Sequence, residues 1–336
     1  TLSLPQGAQA GYVLTSDASG NSYWAQAAAG GFSVATNGLS AFGVGNTAVG
    51  LGGTLIQHTV IDQNNFNLGF INGRVGLGTT SPTQQLDMTG NINMVNTTAT
   101  NLNGIVYTNG TRFLHNFNYG NNGTVTTAGQ NVFLGENAGN FTMGSTATQA
   151  YQASYNVGIG TNSLSNNTTG NYNSALGSSS LYSNTTGNYN SALGFYSLYS
   201  NTTGVYNLAL GSSSLYSNTT GNYNSALGHR SLYSNTTGNY NSALGHRSLY
   251  SNTTGVYNSA LGFYSLYSNT TGNYNSALGS SSLFSNTTGT YNSALGYYAG
   301  RYLADGTTGN TSPDYSIYIG SDTKSLVDNS QNEIVI

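Results

Sequence analysis

His229-Arg230 and His246-Arg247 stand seventeen residues apart in otherwise near-identical sequence, and they hold two of the chain's six basic residues. Two Arg side chains held one repeat apart repel each other, a cost an anion bridging them would offset. A phosphate or a uronic acid on an acidic surface is the chemistry such a pair would serve. The plainer origin is duplication of a unit that carried His-Arg, with the side chains splayed into water; both readings stay open. A histidine metal site lacks a third ligand type nearby. The equivalent positions elsewhere carry Ser178-Ser179, Phe195-Tyr196, Ser212-Ser213, Phe263-Tyr264, Ser280-Ser281 and Tyr297-Tyr298. A slot that accepts Ser, Phe and His in turn is not filling a close-packed core, so it should face solvent. Rows of exposed aromatic rings mark a contact surface. The candidate recognition residues are therefore Phe195, Tyr196, His229, Arg230, His246, Arg247, Phe263, Tyr264, Tyr297 and Tyr298.

Acid-base chemistry has no tools in this stretch. No Asp or Glu occurs from residue 137 to residue 304, which excludes carboxylate pairs, carboxylate metal cages and Ser/His/Asp triads there. Asp305, Asp314, Asp322 and Asp328 lie in loop-like sequence and read as solvated. The glycine-rich "GVGNTAVGLGG" (43–53) has neither the dinucleotide-binding spacing nor a Lys-Ser/Thr, and reads as a loop between strands. No enzymatic activity and no cofactor or metal are expected.

The elements that position the variable pairs follow from a period of 17. Gly160, Gly177, Gly194, Gly211, Gly228, Gly245, Gly262, Gly279 and Gly296 are evenly spaced, the signature of stacked repeats. Each unit has a short extended stretch, Tyr-Asn-Ser-Ala-Leu-Gly, then Ser-Leu-Tyr, then the turn-forming Ser-Asn-Thr-Thr-Gly. Identical rungs place identical residues about 4.8 Å apart. Tyr172 through Tyr291 are expected to form one ladder, Asn173, Asn190, Asn207 and Asn224 an amide ladder, and Tyr182 through Phe284 a second aromatic one. The irregular rungs carry apolar residues at two alternate positions: Val132 and Leu134, Val157 and Ile159, Leu208 and Leu210, Ile317 and Ile319. Alternation puts both on one side of the strand, so Leu176, Leu193 and Leu227 are expected to face the coil interior. Ser174, Ser191 and Ser225 would take the other inward slot. The small Ala175, Ala192 and Ala226 would point outward, where a second surface could approach closely. The Asn-x-Thr triplets, such as Asn218-Thr219-Thr220, read as turn chemistry rather than glycosylation sites.

"NVFLG" ends 25 residues before Gly160 and "YSIYIG" ends 24 residues after Gly296, so both read as rungs with longer loops. "NEIVI" reads as one more rung whose glycine would fall at 337, and its sticky edge points to a continuing chain or a covering subunit. The start at Thr1, with neither Met nor a signal-peptide pattern, points to a processed product or fragment. Residues 1–30 read as an N-terminal hairpin and connector, with the hairpin around Asp17 to Asn21. Residues 31–130 read as an irregular β-rich region, in which 74–94 holds short strands separated by a Ser-Pro turn. Residues 131–336 read as the solenoid, regular over about 156–300. No heptads are evident. The expected fold class is all-β, a parallel β-solenoid or β-roll of 17-residue repeats, forming a homotrimeric fibre.

Composition sets the remaining bounds. Only 4% of the chain is charged and its net charge is −3, so solubility rests on amides and hydroxyls and charge predicts no partner, nucleic acid included. The absence of cysteine removes disulfides and thiolate sites and leaves the compartment open. No apolar run is long enough to span a membrane.

"YNVGIG" (155–160) and the recurrent "NSALG" resemble the Ser-Val-Ala-Ile-Gly repeats in the heads of trimeric autotransporter adhesins. That resemblance covers residues 131–336 and implies three chains, each coiled as a left-handed parallel β-roll around a common axis. The period here is longer than in that family, and neither its coiled-coil stalk nor its membrane anchor is visible. "VGLGTTSPTQQLDMTGNI" (75–92), "GYVLTSDASGNSYW" (11–24) and "SIYIGSDTKSLVDNSQNEIVI" (316–336) are similar to tail-fibre-like sequences of phages and prophages. Together these likenesses imply a trimeric fibre or spike on a virion or cell surface that attaches to a host. Its partners would be further copies of itself, other fibre or virion components at the chain ends, and a cell-surface glycan. A bacterial adhesin, a self-assembling extracellular filament and an ice-binding solenoid are the alternatives.

Overall fold

The computed structural model describes the strands β1 (Tyr12–Ser16), β2 (Ser22–Gln26), β3 (Leu39–Phe42) and β4 (Ala48–Leu51), and residues 74–336 apart from 78 and 80. The chain divides into two compact units, Thr1–Asn91 and Ile92–Ile336. Among the described residues there is no helix, and so none long and apolar enough to cross a membrane.

In the first unit, β1 and β2 pair antiparallel with Ser16 opposite Ser22, as the two arms of the predicted hairpin; residues 17–21 lie outside the described residues. β3 and β4 form a second antiparallel pair, Phe42 opposite Ala48. This corrects the reading of 43–53 as loop, because Ala48–Leu51 is strand. Ladder hydrogen bonds use the backbone, so the glycine there does not prevent pairing. β5 (Val75–Leu77) and β6 (Leu86–Met88) are the short strands read on either side of Ser81-Pro82, and they pair parallel.

The second unit is a parallel β-solenoid. An antiparallel hairpin of β7 (Val106–Thr108) and β8 (Thr111–His115) begins its sheet, and β8 pairs antiparallel with β9 (Val132–Leu134). The turn is Asn109-Gly110, with φ of 49° and 76°, the left-handed pair a tight hairpin requires. From β9 onward every strand is parallel to the next. The looped β10 (Val157–Ile159) is followed by β11 (Ser174–Leu176), β12 (Ser191–Leu193), β13 (Leu208–Leu210), β14 (Ser225–Leu227), β15 (Ser242–Leu244), β16 (Ser259–Leu261), β17 (Ser276–Leu278) and β18 (Ser293–Leu295). β19 (Ile317–Ile319) and β20 (Ile334–Val335) complete the order. Val132 pairs with Val157, Ser293 with Ile317 and Ile317 with Ile334, so the looped rungs and the "NEIVI" rung fall in the register read from the sequence.

Only three residues per rung are strand, yet the ladder runs around most of the turn. Gly194, Ser197, Leu198, Ser200 and Thr202 donate from their backbone N–H groups to Leu176, Gly194, Ser214, Tyr216 and Thr219 respectively, four of these bonds reaching an adjacent rung. Hydrogen bonding that continues through the turns leaves few orphan groups in a coil this narrow.

The burial of the strand faces reverses the sequence reading. Ala175, Ala192 and Ala226 point inward and are buried, whereas Leu193 is 45% and Leu176 37% exposed, Leu227 is half-buried, and the serines at the first strand position are half-buried or exposed. The core is instead the leucine of Ser-Leu-Tyr: Leu181, Leu198, Leu215, Leu232, Leu249, Leu266 and Leu283 are fully buried. One leucine per turn, from the wall opposite the strand, leaves room for only a methyl group between them. The ends of the coil show the same volume rule. Where Gly139 and Gly300 replace that leucine, Phe133 and Tyr318 enter from the strand side, and a Cβ on either glycine would lie 2.8 or 2.6 Å from the ring.

The predicted ladders are present. Tyr155, Tyr172 and so on to Tyr315 stack at 4.7–5.0 Å between centroids. The second aromatic ladder, Tyr182 to Phe284, stacks at 5.0–5.1 Å. In the amide ladder Asn190 donates from its backbone N–H and its Nδ2 to Asn173 Oδ1 (3.0 and 3.2 Å), and its Nδ2 also donates to the Gly204 carbonyl (2.8 Å). A further buried asparagine column comes from the Asn-Thr-Thr turn, where Asn201 Nδ2 donates to Asn184 Oδ1 at 2.8 Å. Asn218 is fully buried in that column, so its triplet serves the turn.

Candidate functional site

Backbone conformation governs the variable pair. In each regular rung a glycine at φ near +138° precedes it, and the second residue of the pair is itself left-handed: Tyr196, Arg230, Tyr264 and Tyr298 at 56–57°, Arg247 at 52°. A left-handed residue costs about 1–2 kcal/mol unless it is glycine, and a branched Cβ fits there worst. That accounts for Ser, Tyr and Arg at the second position and for the absence of Val, Ile and Thr.

The two positions of the pair point differently. Phe195, Phe263 and Tyr297 at the first position are 50–52% exposed. His229 is exposed as well, and His246 half-buried. His229, His246 and Phe263 form a column with centroid spacings of 5.3 and 5.1 Å. Residues at the second position lean onto the neighbouring aromatic ladder. Tyr196 meets Tyr199 edge-on at 5.0 Å, and Tyr264 meets Tyr267 at 5.1 Å. Arg230 and Arg247 lie 5.6 Å over Tyr233 and Tyr250, and Arg247 Nη1 donates to the Tyr264 hydroxyl at 3.0 Å. All ten candidate residues thus line one strip of the coil surface. Partial desolvation by its neighbours in the strip, with the charges of Arg230, His246 and Arg247 beside it, holds the His229 pKa below its ordinary value. Ser212 and Ser280 interrupt the exposed column, leaving a layer without a ring.

The sequence reading passed over Arg301, which lies at the far end of the strip. Its guanidinium stacks 4.2 Å over Phe284 and 4.2 Å over Tyr298. Seventeen residues separate it from Phe284, so the period itself could have found it as the next member of the second ladder. Together with Phe263, Ser280, Ser281, Tyr297 and Tyr298 it borders a cavity of about 470 Å³.

The acidic residues near this end act mainly as ties. Asp314 accepts from the Thr290 N–H and hydroxyl (2.7 and 2.9 Å), and Asp328 from the Thr311 N–H and hydroxyl (2.9 and 2.6 Å). Asp322 pairs with Lys324 at 3.3 Å, the one ion pair among the described residues. No three His, Cys, Asp or Glu side chains gather among them.

A second surface is the outward strand face. Alternation sets the half-exposed tyrosine ladder, the serine column and the aliphatic column side by side. Ile159, Leu193, Leu210, Leu244, Leu261, Leu278, Leu295 and Ile319 stand 37–48% exposed along its length. Comparison with family models, curated proteins and solved structures finds no match.

Proposed function

We propose that the chain is a structural and binding protein: three copies form an extended fibre or spike at a virion or cell surface, and the variable strip attaches it to a host-surface glycan. The observation that carries this reading is the continuous aliphatic column on the outward strand face. Single exposed leucines are ordinary, but a contiguous apolar stripe marks an interaction surface. A flat, periodic stripe is complementary to another copy of itself. The interface residues are thus Leu193, Leu210, Leu244 and their equivalents, in place of the alanines named from sequence. The likeness to trimeric adhesin heads and phage tail fibres favours three copies and an attachment role, and no reaction is assigned to the chain.

The solution mass tests this first. Light scattering should give about three times the 34.9 kDa of one chain. A monomer would remove the fibre, and a mass rising with concentration would favour a filament instead.

A further inference from the structure

We infer that the cavity around Ser280-Ser281 is a binding site for a carboxylate-bearing pyranose, such as a hexuronate unit of an acidic polysaccharide. The inference rests on the attachment reading above and names its ligand class and place.

The first column of the variable strip stacks rings at 5.1–5.3 Å wherever adjacent rungs both carry them. At Ser280 the column lacks one layer, between Phe263 and Tyr297. Two rung spacings, about 10 Å, then separate the flanking rings. That gap holds one ring-shaped guest against the outer face of Phe263, in the place a Phe or Tyr side chain would otherwise take, with Tyr297, itself stacked on Tyr298 at 3.9 Å, bordering the other side. The cavity volume of about 470 Å³ falls within the roughly 300–1,000 Å³ of small-molecule sites.

The chemistry of the lining selects among guests. Phe263, half-exposed, offers an apolar face, which suits the C–H face of a sugar ring. Hydroxyl-bearing Ser280 and Ser281 border the gap and match sugar hydroxyls. Arg301 supplies the charge: its guanidinium is held between Phe284 and Tyr298, and its buried Nε has no hydrogen-bond partner. Among the described residues no carboxylate pairs with it, and Asp322 pairs with Lys324. A positioned guanidinium prefers a planar carboxylate, which it can grip with two N–H groups.

The test titrates the full chain calorimetrically with tetrasaccharides of glucuronate, galacturonate and mannuronate, and with their neutral hexose counterparts. At least one uronate should bind more tightly than its neutral counterpart. Arg301→Gln should weaken that binding about tenfold or more. Ser280→Phe, which supplies the missing layer as Phe263 does in its own rung, should abolish binding and leave the melting temperature unchanged. Failure of all three uronates to bind, or binding that survives Ser280→Phe, overturns the site. Binding lost in Ser280→Phe but untouched by Arg301→Gln overturns the acidic assignment. The mass of the same sample separates this from the fibre reading: a trimer that binds no uronate keeps the fibre and loses the site, and a monomer that binds does the reverse.

Discussion

At the scale of single residues, the variable pair is free in chemistry but constrained in backbone. Arg230 sits at φ 56°, where a branched Cβ is worst placed. Arg230→Val is expected to lower stability, because a branched Cβ fits the left-handed region worse than Arg does, and Arg230→Gly to leave it unchanged or raise it, as read from urea midpoints. His115 belongs to a different class. It is buried, its Nε2 contacts the Ala138 carbonyl (2.9 Å), and its Nδ1 accepts from the Phe117 N–H (3.2 Å). An acceptor at Nδ1 makes Nε2 the donor, so the ring is neutral with both nitrogens used. Burial pushes its pKa down to about 4 from 6.5, with the Arg112 charge adding to the effect. Between those values the unfolded chain binds more protons than the folded one, so the stability from His115 is full above pH 6.5 and is lost as pH falls toward 4. The shift corresponds to about 3 kcal/mol at most. His115→Gln should flatten the difference between urea midpoints at pH 7 and pH 4.5; an unchanged pH slope would show that other groups set it.

At the scale of the element, a rung is a closed accounting of hydrogen bonds with one leucine at its centre. Asn224 donates to Asn207 and Gly238 and accepts from Asn241. Asn224→Ala leaves these partners orphaned in the interior and should cost about 1–3 kcal/mol for each one stranded. Asn224→Asp should cost more, because a carboxylate would face two carbonyl oxygens. Equilibrium unfolding of both variants measures this, and equal losses would show that water replaces the amide. The rung was largely legible in the sequence. Period, turn residues, aromatic columns and the first amide column all follow from identical residues stacking in register. The second amide column was less legible, because Asn in Asn-Thr-Thr has the look of turn chemistry until its side chain is seen to reach the next rung.

At the scale of the whole solenoid unit, the proposed assembly rests on the outward strand face. Placing charge in the aliphatic column, with Leu193, Leu210 and Leu244 changed together to Lys, should convert the proposed trimer to monomers in light scattering. The fold of each chain should persist by circular dichroism, because those side chains are not in the core. A trimer that survives the triple change would move the interface to another face. Ala226→Lys, by contrast, should unfold the rung, since that residue is buried. The sequence reading placed the leucines inside and the alanines outside, which the burial reverses.

Repeat length and residue identity alone determined the parallel register, the ladders, the looped rungs and the strip that carries the variable pairs. In-register stacking leaves a 17-residue unit little other choice. Only the tertiary structure decided which strand face is inside. Alternation separates two faces without ranking them, and the ranking depends on how much volume the opposite wall already fills. Leu232 and its equivalents fill it, so alanine goes in and the larger Leu and Ile side chains go out. The same is true of His115, whose neutral state depends on partners that folding brings within reach.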